Sequence, residues 1–62
     1  MTQEQISLLK ELAVKHRHFA IHWREMAEAF SEIPYQANLY EEKASLADKQ
    51  AEALEVAIVQ LA

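Results

Sequence analysis

The sequence contains no cysteine and no glycine, and Pro34 is its one proline. Without cysteine the chain has neither a disulfide nor a thiolate metal ligand, which excludes the disulfide-stapled class of small secreted proteins. Without glycine it also lacks the glycine-rich loops that hold phosphate groups. A chain of 62 residues can bury only a modest fraction of its surface. We therefore expect it to gain stability by self-association.

Strong charge and long apolar runs are also missing. Ten acidic residues stand against six basic ones, so the net charge is −4, which argues against a general binder of polyanions. The longest nearly apolar run, residues 56–61, is too short to cross a bilayer, and residues 1–5 lack the basic start of a signal peptide. We expect a cytoplasmic protein with no membrane partner.

The residues that are abundant are strong helix formers, chiefly Ala, Leu, Glu, Lys and Gln. Thr2 followed by Gln5 matches a capping box, and Pro34 disfavours helix at the residue before it while suiting a helix start. The sequence thus predicts an all-α fold, a single domain over 1–62. Helix 1 is expected at about 3–31 and helix 2 at about 34–61, joined as an antiparallel hairpin by a turn at about 31–34. The alternative is one long helix kinked at Pro34, about 93 Å in length.

Large apolar residues of helix 1 alternate steps of three and four, which is a heptad pattern. Its members are Leu9, Leu12, His16, Phe19, Trp23, Met26, Phe30 and Ile33. A second line repeats every seven residues beside it: Ile6, Ala13, Ala20 and Ala27. Helix 2 has the same rhythm in smaller residues: Ala37, Tyr40, Ala44, Ala47, Ala51, Leu54, Ile58 and Leu61. We interpret the first line as the seam and the second as its flank.

Folding the chain back at residues 33–34 places large residues of helix 1 opposite small residues of helix 2. The expected pairs are Trp23 with Ala44, Phe19 with Ala47, Phe30 with Ala37, His16 with Ala51, Leu12 with Leu54 and Leu9 with Ile58. Two helices would leave these aromatics partly uncovered, as well as the line of Leu39, Leu46 and Ala53. A homodimeric four-helix bundle would cover both sets, with the mutual direction of the hairpins left open. The predicted core and dimer residues are His16, Phe19, Trp23, Phe30, Leu39, Leu46, Leu54 and Ile58.

Histidine is the residue type most open to a chemical role. His16 falls on the seam, where we expect it to be neutral and hydrogen bonded to Gln50, to a backbone carbonyl or to a second copy, so that acid would weaken the assembly. His18 and His22 lie four apart with Glu25 three further on, a spacing that can hold zinc. Because no Glu-x-x-His unit accompanies them, surface histidines are the preferred interpretation, with no metal and no cofactor.

The outer face of helix 1 carries the candidate partner surface. Lys10, Arg17 and Arg24 repeat every seven residues, and Arg17 has only Ala13, Val14, Ala20 and Ile21 three or four positions away. An arginine without a local carboxylate among apolar side chains is typical of interface hot spots. The predicted partner-binding residues are Val14, Arg17, His18, Ile21 and Arg24. The alternative is a solvated face with two stray aliphatics. Helix 2 carries an acidic row that we expect to be a solvated outer face: Glu41, Glu42, Asp48, Glu52 and Glu55.

In length, hairpin plan and expected bundle the chain resembles the plasmid copy-number regulators of the Rop type, although no residue motif is shared. That resemblance implies RNA binding across helix 1 of a dimer. The residues alone favour a small non-enzymatic homodimer that binds another protein as inhibitor, adaptor or regulator. Catalysis is not expected, because Ser7, Ser31 and Ser45 have no activating context. A Rop-like RNA-binding regulator is the first alternative, and a metal-binding helical bundle is the second.

Overall fold

The computed structural model describes residues 2–61, which form two helices packed side by side. Helix α1 runs over Gln3–Ala29 and helix α2 over Pro34–Leu61. The expected all-helical hairpin is confirmed, and the alternative of one kinked helix is wrong because the two helices contact each other. Helix α1 ends two residues before the predicted position.

The start of α1 is fixed by its side chains. The backbone N–H of Gln5 donates to the Thr2 hydroxyl at 3.2 Å, and the backbone N–H of Thr2 donates to Oε1 of Gln5 at 3.0 Å. This reciprocal pair satisfies two backbone donors that a helix start leaves without partners. The capping box predicted from the sequence is therefore confirmed.

The turn between the helices forms without glycine. The N–H of Ser31 bonds to the carbonyl of Glu28 at 3.2 Å, so the last turn of α1 tightens from four-residue to three-residue spacing. No residue among 2–61 has a positive φ, which explains why the turn needs no glycine. Pro34 begins α2, and the carbonyl of Ile33 accepts the N–H of Ala37 at 3.0 Å. The predicted break at Pro34 is confirmed, with the turn starting at Phe30.

The contact between the helices is built from small residues. Among residues 2–61 the buried side chains belong to alanine and isoleucine alone: Ile6, Ala13, Ala20, Ala27, Ala44, Ala47, Ala51 and Ile58. Because each helix has the other as its single neighbour in the hairpin, these two rows bury one another. Ala44 and Ala51 are 0% exposed. Methyl-sized side chains allow the two backbones to approach closely, so the smallest residues, and not the largest, define the line of contact.

This arrangement corrects part of the predicted packing. The line of Ile6, Ala13, Ala20 and Ala27 is the centre of the contact and not its flank. The large residues of the predicted seam lie beside that centre. Trp23 is half-buried, and Phe19 is 53% exposed. Of the predicted core residues Ile58 is buried and Leu54 half-buried, whereas Leu39 and Leu46 are exposed.

The hairpin is a long, thin, two-helix layer. Its Cα atoms extend over 47 × 15 × 10 Å with a radius of gyration of 14.3 Å, whereas a compact domain of this length has about 10.5 Å. One broad side carries the aromatic residues, and the opposite side carries charged residues and valines. Neither α1 nor α2, as described over residues 2–61, combines the length and apolar character needed to cross a membrane.

Candidate interaction surfaces

The aromatic side of the hairpin, here named the front face, centres on a groove between the helices. Its lining side chains are His16, Phe19, Trp23, Lys43, Leu46, Ala47 and Gln50, and its volume is about 260 Å³. Heptad spacing places Leu12 beside Phe19 on α1, and Leu39 beside Leu46 on α2. All four of these side chains are exposed. The front face is thus an apolar strip that the hairpin itself leaves open.

Aromatic rings organise the end of the front face near the turn. The rings of Trp23 and Tyr40 are stacked, with centroids 5.6 Å apart and 13° between their planes. The ring of Phe30 is tilted by 45° against that of Tyr40, with centroids 5.7 Å apart. The Nζ atom of Lys43 lies 5.0 Å from the centre of the Trp23 ring, a cation–π contact. This stack was not predicted from the sequence, because the expected partner of Trp23 was Ala44 and Tyr40 was assigned only to the heptad line of helix 2.

His16 lies on the front face in the same groove as Gln50, as predicted. Its ring meets Phe19 edge-on with centroids 6.5 Å apart. Within residues 2–61 no hydrogen bond joins His16 to Gln50, and no buried polar side-chain atom lacks a partner. The expected hydrogen bond is therefore not made inside the hairpin, since the ring is half-buried and open to the outside of the groove.

The opposite side, the back face, carries a network of four charged residues that joins the helices. Arg17 donates from Nη1 to Oδ1 of Asp48 at 3.1 Å, and from Nη2 to Oε1 of Glu55 at 2.6 Å. Arg24 donates from Nη2 to Oδ2 of the same Asp48. Asp48 therefore accepts hydrogen bonds from two arginines, and Arg17 donates to two carboxylates, so that all four side chains are linked. We name these residues, Arg17, Arg24, Asp48 and Glu55, the ion network.

The ion network overturns the interpretation of Arg17 as an arginine without a partner. Its partners lie on the other helix, 31 and 38 positions along the chain, so a search of positions three and four away could not find them. Arg24 likewise pairs with Asp48 and not with its helical neighbour Glu28. Asp48 and Glu55 in turn do not belong to a solvated outer row, because they turn toward α1.

The charges of the network stabilise one another's ionised forms. The hydrogen bonds that Arg17 donates to Glu55, and then to Asp48, raise the pKa of its guanidinium above the ordinary value. The hydrogen bond from Arg24 is the largest cause lowering the pKa of Asp48 below its usual range. Partial desolvation of the carboxylate acts against this lowering, and the hydrogen bond from Arg17 adds to it. The network is consequently a set of fixed opposite charges at neutral pH.

The remaining predicted partner-binding residues are on the outside of α1. Val14 is 52% exposed and Ile21 is 55% exposed, which confirms that these aliphatics lie off the contact between the helices. His18 is exposed and lines a shallow hollow with Val14. Of the five residues assigned to this surface, Arg17 and Arg24 are thus tied to α2, while Val14, His18 and Ile21 remain exposed on α1.

The sequence analysis missed one part of the back face. At the open end of the hairpin, Val56 and Val59 of α2 are exposed on the same side as Val14 of α1. A hollow between the helices joins Val14 to Val59, and its lining residues are Lys10, Ala13, Val14, Glu55, Ile58 and Val59. Two valines at a spacing of three on one helix were the available signal, but they fell inside the apolar run 56–61 and were assigned no face.

The metal-binding alternative receives no support from the arrangement of side chains. Across residues 2–61, no group of three or more His, Asp or Glu side chains is placed to hold a metal ion. The ring of His22 instead lies against Trp23, with centroids 5.1 Å apart and an edge-to-face angle of 61°.

Comparison with known proteins gives no family assignment. No family model matches the chain, and neither a curated protein nor a solved structure shows significant similarity to it. The surfaces themselves are therefore the basis for any functional conclusion.

Proposed function

We propose that this chain is a small, non-enzymatic, homodimeric protein that binds another protein through the outer face of helix α1. In the dimer, two hairpins pack front face to front face as a four-helix bundle. One observation carries the proposal: the contact between α1 and α2 uses alanine and isoleucine, and leaves the large aromatic and aliphatic residues uncovered on one side. A second hairpin supplies the cover that the first cannot supply for itself.

The surface area of the hairpin supports this assembly. Its accessible surface is 4742 Å² for a mass of 7.1 kDa, whereas a globular monomer of that mass exposes about 4,100 Å². A globule of twice the mass would expose about 6,800 Å², so pairing two hairpins into one would bury roughly 1,300 Å² per copy. Stable homodimers commonly bury this much or more. The hairpin therefore has the excess surface that a dimer would remove.

Sedimentation equilibrium of the wild-type chain tests the dimer directly. We expect twice the chain mass at micromolar concentration, together with full helicity by circular dichroism. Leu46→Lys places a charge on the front face and should shift the chain toward the monomer, because a lysine there would have to be desolvated. The matched control is Val56→Lys, at an exposed position outside the front face (49% against 57% for Leu46), which should remain dimeric. A wild-type chain that is helical and monomeric at every accessible concentration would overturn the proposed assembly.

The second part of the proposal concerns the outer face of α1. Val14 and Ile21 stay exposed beside the ion network, and a bundle formed through the front face would not cover them. The carboxylates of Asp48 and Glu55 compensate the charge of Arg17 and Arg24, so Lys10 and Lys15 beside Val14 are the cations that this face still offers, which is few for gripping a phosphate backbone. That balance of charge favours a protein partner over the RNA partner of the Rop-like alternative.

Capture of a partner from extracts of the source cells tests this surface. Wild-type protein should retain a defined partner that is lost with Val14→Asp combined with Ile21→Asp, while sedimentation shows the variant still dimeric. Retention by a protein partner should depend weakly on salt. RNA retained by the wild type, with binding that falls steeply as salt is raised, would contradict the protein-binding proposal and support the Rop-like alternative.

A further inference from the structure

The valine-lined hollow at the open end of the back face differs from the rest of that face. It has a volume of about 410 Å³ and lies between the helices, with Val14 standing on its α1 side and Val59 on its α2 side. Ala13 and Ile58 form its floor. Val59 is 77% exposed, so this apolar side chain borders the hollow without packing inside the hairpin. Apolar ridges with a trough between them are what an amphipathic helix needs for docking.

The charges on the two sides of the hollow have opposite sign. On the α1 side Lys10 lines the hollow, and Lys15 and His18 follow around Val14. Glu11 is the one acidic residue among them. On the α2 side the charged residues are Glu52 and Glu55, next to Val56 and Val59. Glu55 is already paired with Arg17, so the charge left on the α2 side is that of Glu52. On the α1 side Lys10 and Lys15 outnumber Glu11, so the α1 side is net basic and the α2 side net acidic.

We propose that this hollow binds one amphipathic helix of another protein, with acidic residues along its α1-facing edge and basic residues along its α2-facing edge. This inference rests on the proposed function and names the chemistry of its partner. The wall from Lys10 to His18 extends about 12 Å at 1.5 Å per residue, which is two helical turns. A partner helix would fill that length with apolar residues at positions i, i+3 or i+4, and i+7.

A second copy of this chain fits the hollow less well than a foreign helix. Next to the hollow the ion network holds four charges, and a second back face packed over it would desolvate all of them, which would oppose pairing. The front face is the larger apolar surface, and it already accounts for self-association. A single helix laid over Val14 and Val59 is narrower than a second back face and would leave Arg24 and Asp48 in solvent, while its two edges could still match the opposite signs of the two walls.

Three designed helical peptides with the same apolar stripe test the proposal. One carries glutamates on one edge and lysines on the other, the second carries glutamates on both edges, and the third carries lysines on both. Fluorescence anisotropy of labelled peptides should show the mixed peptide binding about tenfold more tightly than either like-charged peptide at low salt. One mixed peptide is enough, because a helix that docks in the opposite direction presents its two charged edges to the opposite walls.

Variants of the protein assign the binding to the hollow. Val59→Asp should weaken binding of the mixed peptide about tenfold or more, without changing the sedimentation mass. Glu52→Lys makes both walls basic and should transfer the preference to the peptide with two acidic edges. Its control is Glu42→Lys, an exposed position on the same helix that does not line the hollow, which should leave the preference unchanged.

The outcomes separate this inference from the function on which it rests. Equal binding of all three peptides, or no binding, would overturn the charge-matched helix while a Val14-dependent native partner would still support the proposed function. If no native partner depends on Val14 while the mixed peptide still binds preferentially, the proposed function is overturned and the charge-matched hollow is supported. Titration of the wild type showing self-association that Val59→Asp abolishes would assign the hollow to a second copy and refute the inference.

Discussion

The ring of Trp23 lies almost parallel to that of Tyr40, with 5.6 Å between their centroids. The stack joins α1 to α2 on the front face, near the turn. It adds a contact between large side chains beside the line of buried alanines. The Phe30 ring also contacts Tyr40, with centroids 5.7 Å apart. Tyr40 thus brings together three of the few aromatic rings in the chain.

Replacing Tyr40 with leucine should destabilise the protein by about 1 kcal/mol, because leucine keeps much of the apolar area but loses the ring stack. Urea unfolding followed by Trp23 fluorescence, at matched protein concentration, measures this change. Tyr35→Leu is the control, since Tyr35 is 77% exposed and should tolerate the replacement. Equal midpoints for the two variants would show that the stack contributes nothing.

Replacing Ala44 with leucine should destabilise the protein by about 1 to 3 kcal/mol, because three added carbons have no space where the backbones approach closely. Thermal unfolding measures the loss. Ala29→Leu makes the same chemical change at an exposed position at the end of α1, outside the surfaces proposed for assembly, and should be close to neutral. An Ala44→Leu protein as stable as the wild type would contradict the alanine contact.

Acid should weaken the hairpin through Asp48. The pKa of Asp48 is lowered in the folded state, so the unfolded chain takes up a proton more readily. Stability from this group is therefore present above the unfolded pKa of about 4 and is lost as the pH falls below it. Melting temperatures of Asp48→Asn should be a few degrees below wild type at pH 7 and should converge with it in acid. Glu52→Gln, outside the network, should follow the wild-type profile at every pH.

Removing the Thr2 hydroxyl should cost about 1 kcal/mol, because Thr2→Ala leaves the backbone N–H of Gln5 without its acceptor. Guanidinium unfolding detects a difference of this size. Ser7→Ala, an exposed position inside α1, should be neutral or slightly stabilising because alanine is the better helix former. The opposite directions of two hydroxyl deletions in one helix distinguish a cap from a general effect of polarity.

The sequence was informative wherever the deciding interactions are local. Thr2 and Gln5 are three positions apart, and Pro34 acts on its own neighbour, so the capping box and the end of α1 could be predicted from simple rules. The ion network could not, because pairing of Arg17 with Asp48 depends on how the two helices align, and heptad patterns tolerate several alignments.

The contact line was misassigned for a different reason. Burial is usually predicted from hydrophobicity, which ranks Trp23 and Phe19 above alanine, whereas close helix packing depends on size. The alanines at a spacing of seven in α1, and those in α2, held the necessary signal. The valines of the open end were missed because a run of apolar residues gives no face until the contact line is known.

An alanine surface is smooth, and smoothness has a mechanical consequence. Methyl groups offer shallow ridges, so sliding one helix along the other by a turn would disturb little of the packing. Such a slip would, however, pull the Arg17 guanidinium out from between Asp48 and Glu55, two carboxylates that straddle it along α2. The same slip would separate the Trp23 ring from that of Tyr40 on the front face. The lengthwise position of the two helices is thus set by the ion network and the ring stack at the two edges, while the distance between the helices is set by the methyl groups at the centre.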